Sequence, residues 1–145
     1  MIDMNEEALK LDHQLCFPLY AAAREMIKRY YPYLHRLGLT YTQYIAMMVF
    51  WERRQISAKE LGEKLFLDSG TLTPVLKSLE KKGYITRERL AADERVLVAA
   101  ITEKGDRLRE QAKDIPEQIG RCLPLSPEEA ATLYRLLYKT LGKDL

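Results

Sequence analysis

The chain has 145 residues, 47% hydrophobic and 30% charged, a balance that predicts a single folded, soluble domain rather than disorder. No apolar run reaches the roughly 18 residues that a membrane-spanning helix needs. The net charge of +2 is too weak to predict nucleic-acid binding by itself, so any such surface must concentrate its basic residues locally.

The N-terminal stretch MIDMNEEALK starts acidic and carries no secretory pattern, and there are two cysteines. A reducing cytoplasm is the expected compartment. A first helix is predicted over 12–34, with Asp12 as its N-cap and with Pro18 and Pro32 loosening its first and last turns. Gly38 marks a turn. Thr40 and Gln43 have capping-box spacing and open a second helix, apolar nearly all round over 44–51 and therefore buried.

A short amphipathic helix is predicted over 56–65. Ser57 and Glu60 form a capping box, and Ala58, Leu61 and Leu65 share one face. After a turn at 66–68, a helix over 69–82 carries the stripe Leu72, Val75, Leu76 and Leu79 and closes at Gly83. Two short helices joined by such a turn fit a helix-turn-helix. The second turns Thr71, Thr73, Pro74, Lys77 and Ser78 away from the stripe. Hydroxyls and a cation without a carboxylate suit phosphate oxygens and base edges.

Segments 84–90 and 96–101 read as two strands with a polar tip at 91–95, which makes the module a winged helix-turn-helix. Basic residues exceed acidic ones by only two over 77–95, and Arg87 and Arg89 share a strand face. A long helix starts at Thr102. Leu108, Ala112, Ile115, Ile119 and Cys122 form a heptad-like seam along it, with a kink expected at Pro116. Ser126, Pro127 and Glu129 open a last helix that runs to about Leu141 and ends at Gly142. The expected fold is mainly α, one domain over 1–145. Its module over 40–102 reads DNA, and its flanking helices, 1–39 and 103–145, hold a homodimer. Two-fold dimers are the common arrangement for helix-turn-helix proteins on palindromes.

The stretch LFLDSGTLTPVLKSLEKKGYITRERLAADER (65–95) resembles the recognition helix and wing of MarR-type transcriptional regulators, with DER at 93–95 as the wing-tip motif. LDHQLCFPLYAAAREMIKRYYPYL (11–34) and LTYTQY (39–44) are similar to the OhrR subgroup, repressors that sense organic hydroperoxides through a cysteine. The resemblance places Ser69, Thr71, Thr73 and Lys77 on the helix that enters the major groove. It sets Arg87 beside the phosphates and sends Arg95 into the minor groove, held by Asp93. A narrow minor groove attracts an arginine by its negative potential.

On its neighbours alone, Cys16 is a small buried hydrophobe or a reactive thiol. The functional reading needs a stabilised thiolate, and the positive end of the first helix can supply part of that. The OhrR resemblance pairs the cysteine with two tyrosines, Tyr30 and Tyr41. Tyr30 lies fourteen residues beyond Cys16, about 21 Å along one helix, so a contact between them implies the other subunit. Tyr20, Tyr31, Tyr33 and Tyr44 are expected to pack ordinarily. The resemblance also gives Cys122 the position of a resolving thiol, which would form an intersubunit disulfide with oxidised Cys16. Its bland role is to extend the apolar seam.

The implied partners are pseudo-palindromic double-stranded operator DNA, a second copy of the chain, and an organic hydroperoxide as inducer, with no membrane and no cofactor. A repressor released by reversible binding of a phenolic or carboxylate ligand, with both cysteines structural, is the alternative. A thiol peroxidase would need a reductant, lacks a Cys-x-x-Cys motif, and leaves the helix-turn-helix unexplained, so an enzyme is not expected. His13 and His35 are isolated, and no metal site is expected.

Overall fold

Capping chemistry sets most element boundaries in the computed structural model, which describes residues 4–143. In chain order the elements are α1 (Met4–Ala8), a one-turn 3-10 helix (Leu11–His13), α2 (Cys16–Leu37), α3 (Tyr41–Arg53), β1 (Gln55–Ser57), α4 (Ala58–Leu65), α5 (Ser69–Lys81), β2 (Ile85–Arg89), β3 (Leu97–Ile101), α6 (Glu103–Ala112), α7 (Ile115–Arg121) and α8 (Pro127–Thr140). The chain forms two compact units, one ending at Lys113 and the other beginning at Asp114.

In the first unit, Thr40 and Gln43 cap α3 reciprocally, as their spacing predicts. Ser57 caps α4 from one side only, through the Glu60 amide. The predicted stripe of α5 is buried at Leu72, Val75, Leu76 and Leu79. With Met47, Phe50, Leu61 and Ile85 it forms the core beneath α5. Two glycines let backbones approach closely. A side chain on Gly62 would press on the Leu67 carbonyl in the helix-turn-helix turn, and one on Gly105 would run into the Tyr84 carbonyl.

Several boundaries differ from those expected. The long first helix starts at Cys16, not Asp12, and Leu15 stands at its N-cap with no side-chain bond. The residues before it bond backwards instead: the Gln14 amide donates to the carbonyls of Ala8 (2.6 Å) and Lys10 (2.9 Å), and the His13 ring pairs with that of Glu7. Pro18 falls in the first turn, where an amide hydrogen has no helical partner to lose. Pro32 does not end the helix, which runs on to Leu37 and stops where Gly38 turns left-handed.

The sheet has a third strand. β1 pairs antiparallel with β3, which also pairs with β2, in the order β1-β3-β2. The expected kinked helix is two helices: α6 ends at Ala112, and α7 starts at Ile115 with Pro116 in its first turn. Within the first unit α6 packs on α2 and α3, the Trp51 indole donates to the Gly105 carbonyl (2.9 Å), and Arg54 pairs with Asp106.

The second unit holds α7 and α8. The Ser126–Glu129 capping box and Pro127 start α8 as predicted. Leu133, Tyr134, Leu136 and Leu141 are exposed. Of the predicted seam, Leu108, Ala112, Ile115 and Ile119 are buried, whereas Cys122 is exposed. No described helix is long and apolar enough to cross a membrane.

Candidate DNA-reading face and thiol site

Helix α5 buries its leucine and valine stripe and leaves Ser69, Thr71, Thr73 and Lys77 exposed. Its N-terminus is fixed by Asp68, whose carboxylate accepts the Thr71 amide at 2.7 Å. That bond holds the Asp68 carboxyl below its usual range. The Thr73 hydroxyl donates to the Ser69 carbonyl (2.7 Å), so its proton is engaged within the helix.

The wing extends from β2 and β3. At its tip Asp93 takes three bonds from Arg95: the backbone amide (3.1 Å), Nε (3.1 Å) and Nη2 (3.3 Å). The Arg95 side chain is 91% exposed, so this pairing directs a guanidinium that packing leaves unconstrained. The same bonds lower the Asp93 carboxyl. Arg89 donates to the Arg95 carbonyl (3.4 Å).

Arg87 is turned inward. Only 19% exposed, it donates through Nη2 and its backbone amide to the two Glu80 oxygens, each at 3.1 Å. The pair ties strand β2 to α5 and lowers the Glu80 carboxyl. The Arg87 Nε is buried without a hydrogen-bond partner. Arg87 lines a hollow of about 650 Å³ together with Phe66, Leu67, Leu72, Thr73 and Leu76.

Cys16 is the first residue of α2 and is exposed, as are Leu15, Phe17 and Leu19 beside it. Tyr30 and Tyr41, expected as partners of the cysteine, lie against each other. The Tyr30 and Tyr41 rings stand edge to face with centroids 5.0 Å apart. Tyr44 completes the cluster, 5.7 Å from Tyr30 and 6.3 Å from Tyr41. Burial pushes the Tyr44 phenol up to about 12 and raises that of Tyr30 as well, and the neighbouring phenols add to both shifts. Within one chain the cluster lies about 21 Å along α2 from Cys16.

Residues 28–112, more than half the chain, match the family described as transcriptional regulator SarA/Rot. Over 133 residues the chain is 47% identical to the organic hydroperoxide resistance transcriptional regulator of Bacillus subtilis, an alignment covering 92% of this chain and 90% of that one. The chain is a winged-helix transcriptional regulator of the SarA/Rot and MarR family.

This regulator is also 42% identical over 140 residues to the HTH-type transcriptional regulator SarZ of Staphylococcus saprophyticus, covering 97% of this chain and 96% of the other. Among solved structures it resembles reduced AbfR bound to DNA, with a TM-score of 0.79, 34% identity and 96% of each chain covered. AbfR with a disulfide formed is similar at a TM-score of 0.66, with 96% of this chain and 95% of the other covered. The OhrR-like resemblance in 11–34 and 39–44 therefore extends along nearly the whole regulator.

Sequence reasoning missed two residues that brace the candidate face, Asp68 and Glu80. Asp68 had a readable signal, an acidic residue directly before a hydroxyl and an apolar stripe. Glu80 had none, because its partner Arg87 lies across a turn. Tyr44 is buried, as ordinary packing predicts, and its ring closes the tyrosine cluster. Tyr20 and Tyr31, also expected to pack, are exposed.

Proposed function

We propose that this regulator is a cytoplasmic homodimeric repressor that binds a pseudo-palindromic operator and releases it when an organic hydroperoxide oxidises Cys16. The carrying observation is that Cys16 sits exposed at the start of α2 among exposed apolar side chains, while Tyr30 and Tyr41 meet at the far end. A second copy running the opposite way would bring one copy's tyrosines to the other's thiol. The positive end of α2 favours the thiolate, and two phenols can donate to it. Exposed apolar residues on α2, and separately on α8, are available for pairing. Residues 1–39 and 103–145 serve the dimer, and 40–102 read DNA.

The chemistry runs in two displacements. The Cys16 thiolate attacks the distal oxygen of the hydroperoxide, the O–O bond breaks, sulfur gives up two electrons, and the alcohol leaves after taking a proton. The resulting sulfenic acid is attacked by the thiolate of Cys122 from the partner subunit. The S–S bond forms and hydroxide leaves as water. The solved disulfide form of AbfR supports this second step by analogy. On DNA, Ser69, Thr71, Thr73 and Lys77 enter the major groove, and Arg95, aimed by Asp93, enters the minor groove. Arg87 braces the wing against α5 beside the phosphates.

The test is a mobility shift with and without cumene hydroperoxide, run beside a non-reducing gel. Wild type should release DNA and form a covalent dimer. Cys16→Ser should stay bound, and Cys122→Ser should respond without a covalent dimer. Release of Cys16→Ser by peroxide would sink the redox reading. A second reading, reversible release by a phenolic or carboxylate ligand, is favoured by the hollow beside Arg87. Salicylate would then release Cys16→Ser and wild type alike.

A further inference from the structure

Gln43 is a polar side chain in the core, only 7% exposed. Burying an amide is unfavourable unless its bonds are made, and here they run to the start of its own helix and to α5. Its Oε1 accepts the Thr40 amide (3.1 Å) and the Lys82 ammonium (2.9 Å), and its Nε2 donates to the Ser78 hydroxyl (2.9 Å). Ser78 lies on the reading helix α5, and Lys82 is that helix's C-cap residue. The same ammonium donates to the Gly38 carbonyl at the end of α2, the helix that begins with Cys16. Partial burial lowers the Lys82 ammonium.

Gln43 also sits between Tyr41 and Tyr44 in the first turn of α3. The tyrosines face Tyr30, and the glutamine reaches α5. One rigid helical turn therefore carries Tyr41 and Tyr44 on one side and a bonded link to α5 on the other.

We propose that Gln43 is a positioning residue that transmits the state of the Tyr30–Tyr41 cluster to α5 through Ser78 and Lys82. The inference rests on the redox reading above, because it assigns a path between that thiol site and the DNA. The reason is directional bonding. An apolar contact at this place would let α3 slide over α5 at little cost, whereas hydrogen bonds in a low-dielectric interior hold one register. A displaced Tyr41 must then carry α5 with it or break these bonds. Ser78 and Lys82 keep solvent access, so an apolar replacement leaves them hydrated rather than stranded.

The experiment compares wild type, Gln43→Met, Gln43→Glu and Ser78→Ala as full-length protein. The probe is a DNA duplex selected by reduced wild type from a randomised pool, and the oxidant is cumene hydroperoxide. Two quantities are read: the rate of Cys16 oxidation, and the ratio of DNA affinity between reduced and oxidised protein. Gln43→Met should oxidise at the wild-type rate and bind DNA when reduced, but its affinity ratio should fall about tenfold or more, since it breaks both bonds to α5 and loss of one alone is worth about tenfold. Gln43→Glu keeps both acceptor bonds, and its carboxylate can accept from Ser78, so it should restore most of the ratio. Should Gln43→Met not fold, Ser78→Ala carries the test, since it removes the same bond from the half-exposed side. A wild-type ratio in a folded Gln43→Met, or in Ser78→Ala where that variant carries the test, overturns the inference alone. A wild type whose affinity ignores oxidation overturns the redox reading beneath it.

Discussion

Arg95 and Tyr44 mark the two extremes of side-chain environment in this regulator. The Arg95 side chain is almost wholly in water and pairs with Asp93, so its removal should leave the core undisturbed. Arg95→Ala is expected to weaken operator binding about tenfold or more, the weight of one good groove contact. Its unfolding midpoint should stay within about 0.5 kcal/mol of wild type. Equal binding at physiological salt would remove the wing from the DNA interface. Tyr44 is 2% exposed, and its phenol is raised from 10.0 to about 12. A raised folded value means the native state holds that proton more tightly than the unfolded chain. The stabilisation is full below pH 10 and is lost as pH rises from 10 towards 12. Denaturant unfolding across that window should show a steep fall in stability, and Tyr44→Phe should flatten it.

At the scale of elements, the sequence was most readable where one local rule decides the outcome. The capping boxes at Thr40 and Ser126, the apolar stripe of α5 and the glycine at 83 are all local, and all occur as written. Reading failed where a distant partner decides. β1 is three residues long and exists because β3 offers it an edge, so it was absorbed into the start of α4. Pro32 signals a helix end locally, yet α2 continues through it to the left-handed Gly38. Arg87 looked like a surface cation until Glu80, seven residues earlier, turned it inward. Two glycines separate these cases experimentally. Gly105→Ala should destabilise the fold by about 1–3 kcal/mol, since the added methyl meets the Tyr84 carbonyl and the Ile101 side chain. Gly120→Ala, in a helix with open space around it, should be neutral or stabilising by up to about 1 kcal/mol. Denaturant midpoints for the pair check both, and a Gly105→Ala as stable as wild type would refute the close approach.

For the whole molecule, the proposed pairing of two copies places its apolar surface on α2 and α8. Ile27 is exposed midway along α2. Ile27→Glu should shift the sedimentation profile from dimer to monomer and weaken operator binding while leaving helical content unchanged. A dimer of wild-type affinity would place the interface elsewhere. The length of α2 has its own geometric result. Its 22 residues make a rod of about 33 Å, with a thiol at one end and the Gly38–Lys82 junction at the other. Tilting such a rod by about 5° swings its tip through about 3 Å, roughly the length of a hydrogen bond. In the proposed redox reading, a sulfur that gained one oxygen atom would therefore need little travel: α2 would act as a lever whose long arm ends where α5 is fastened.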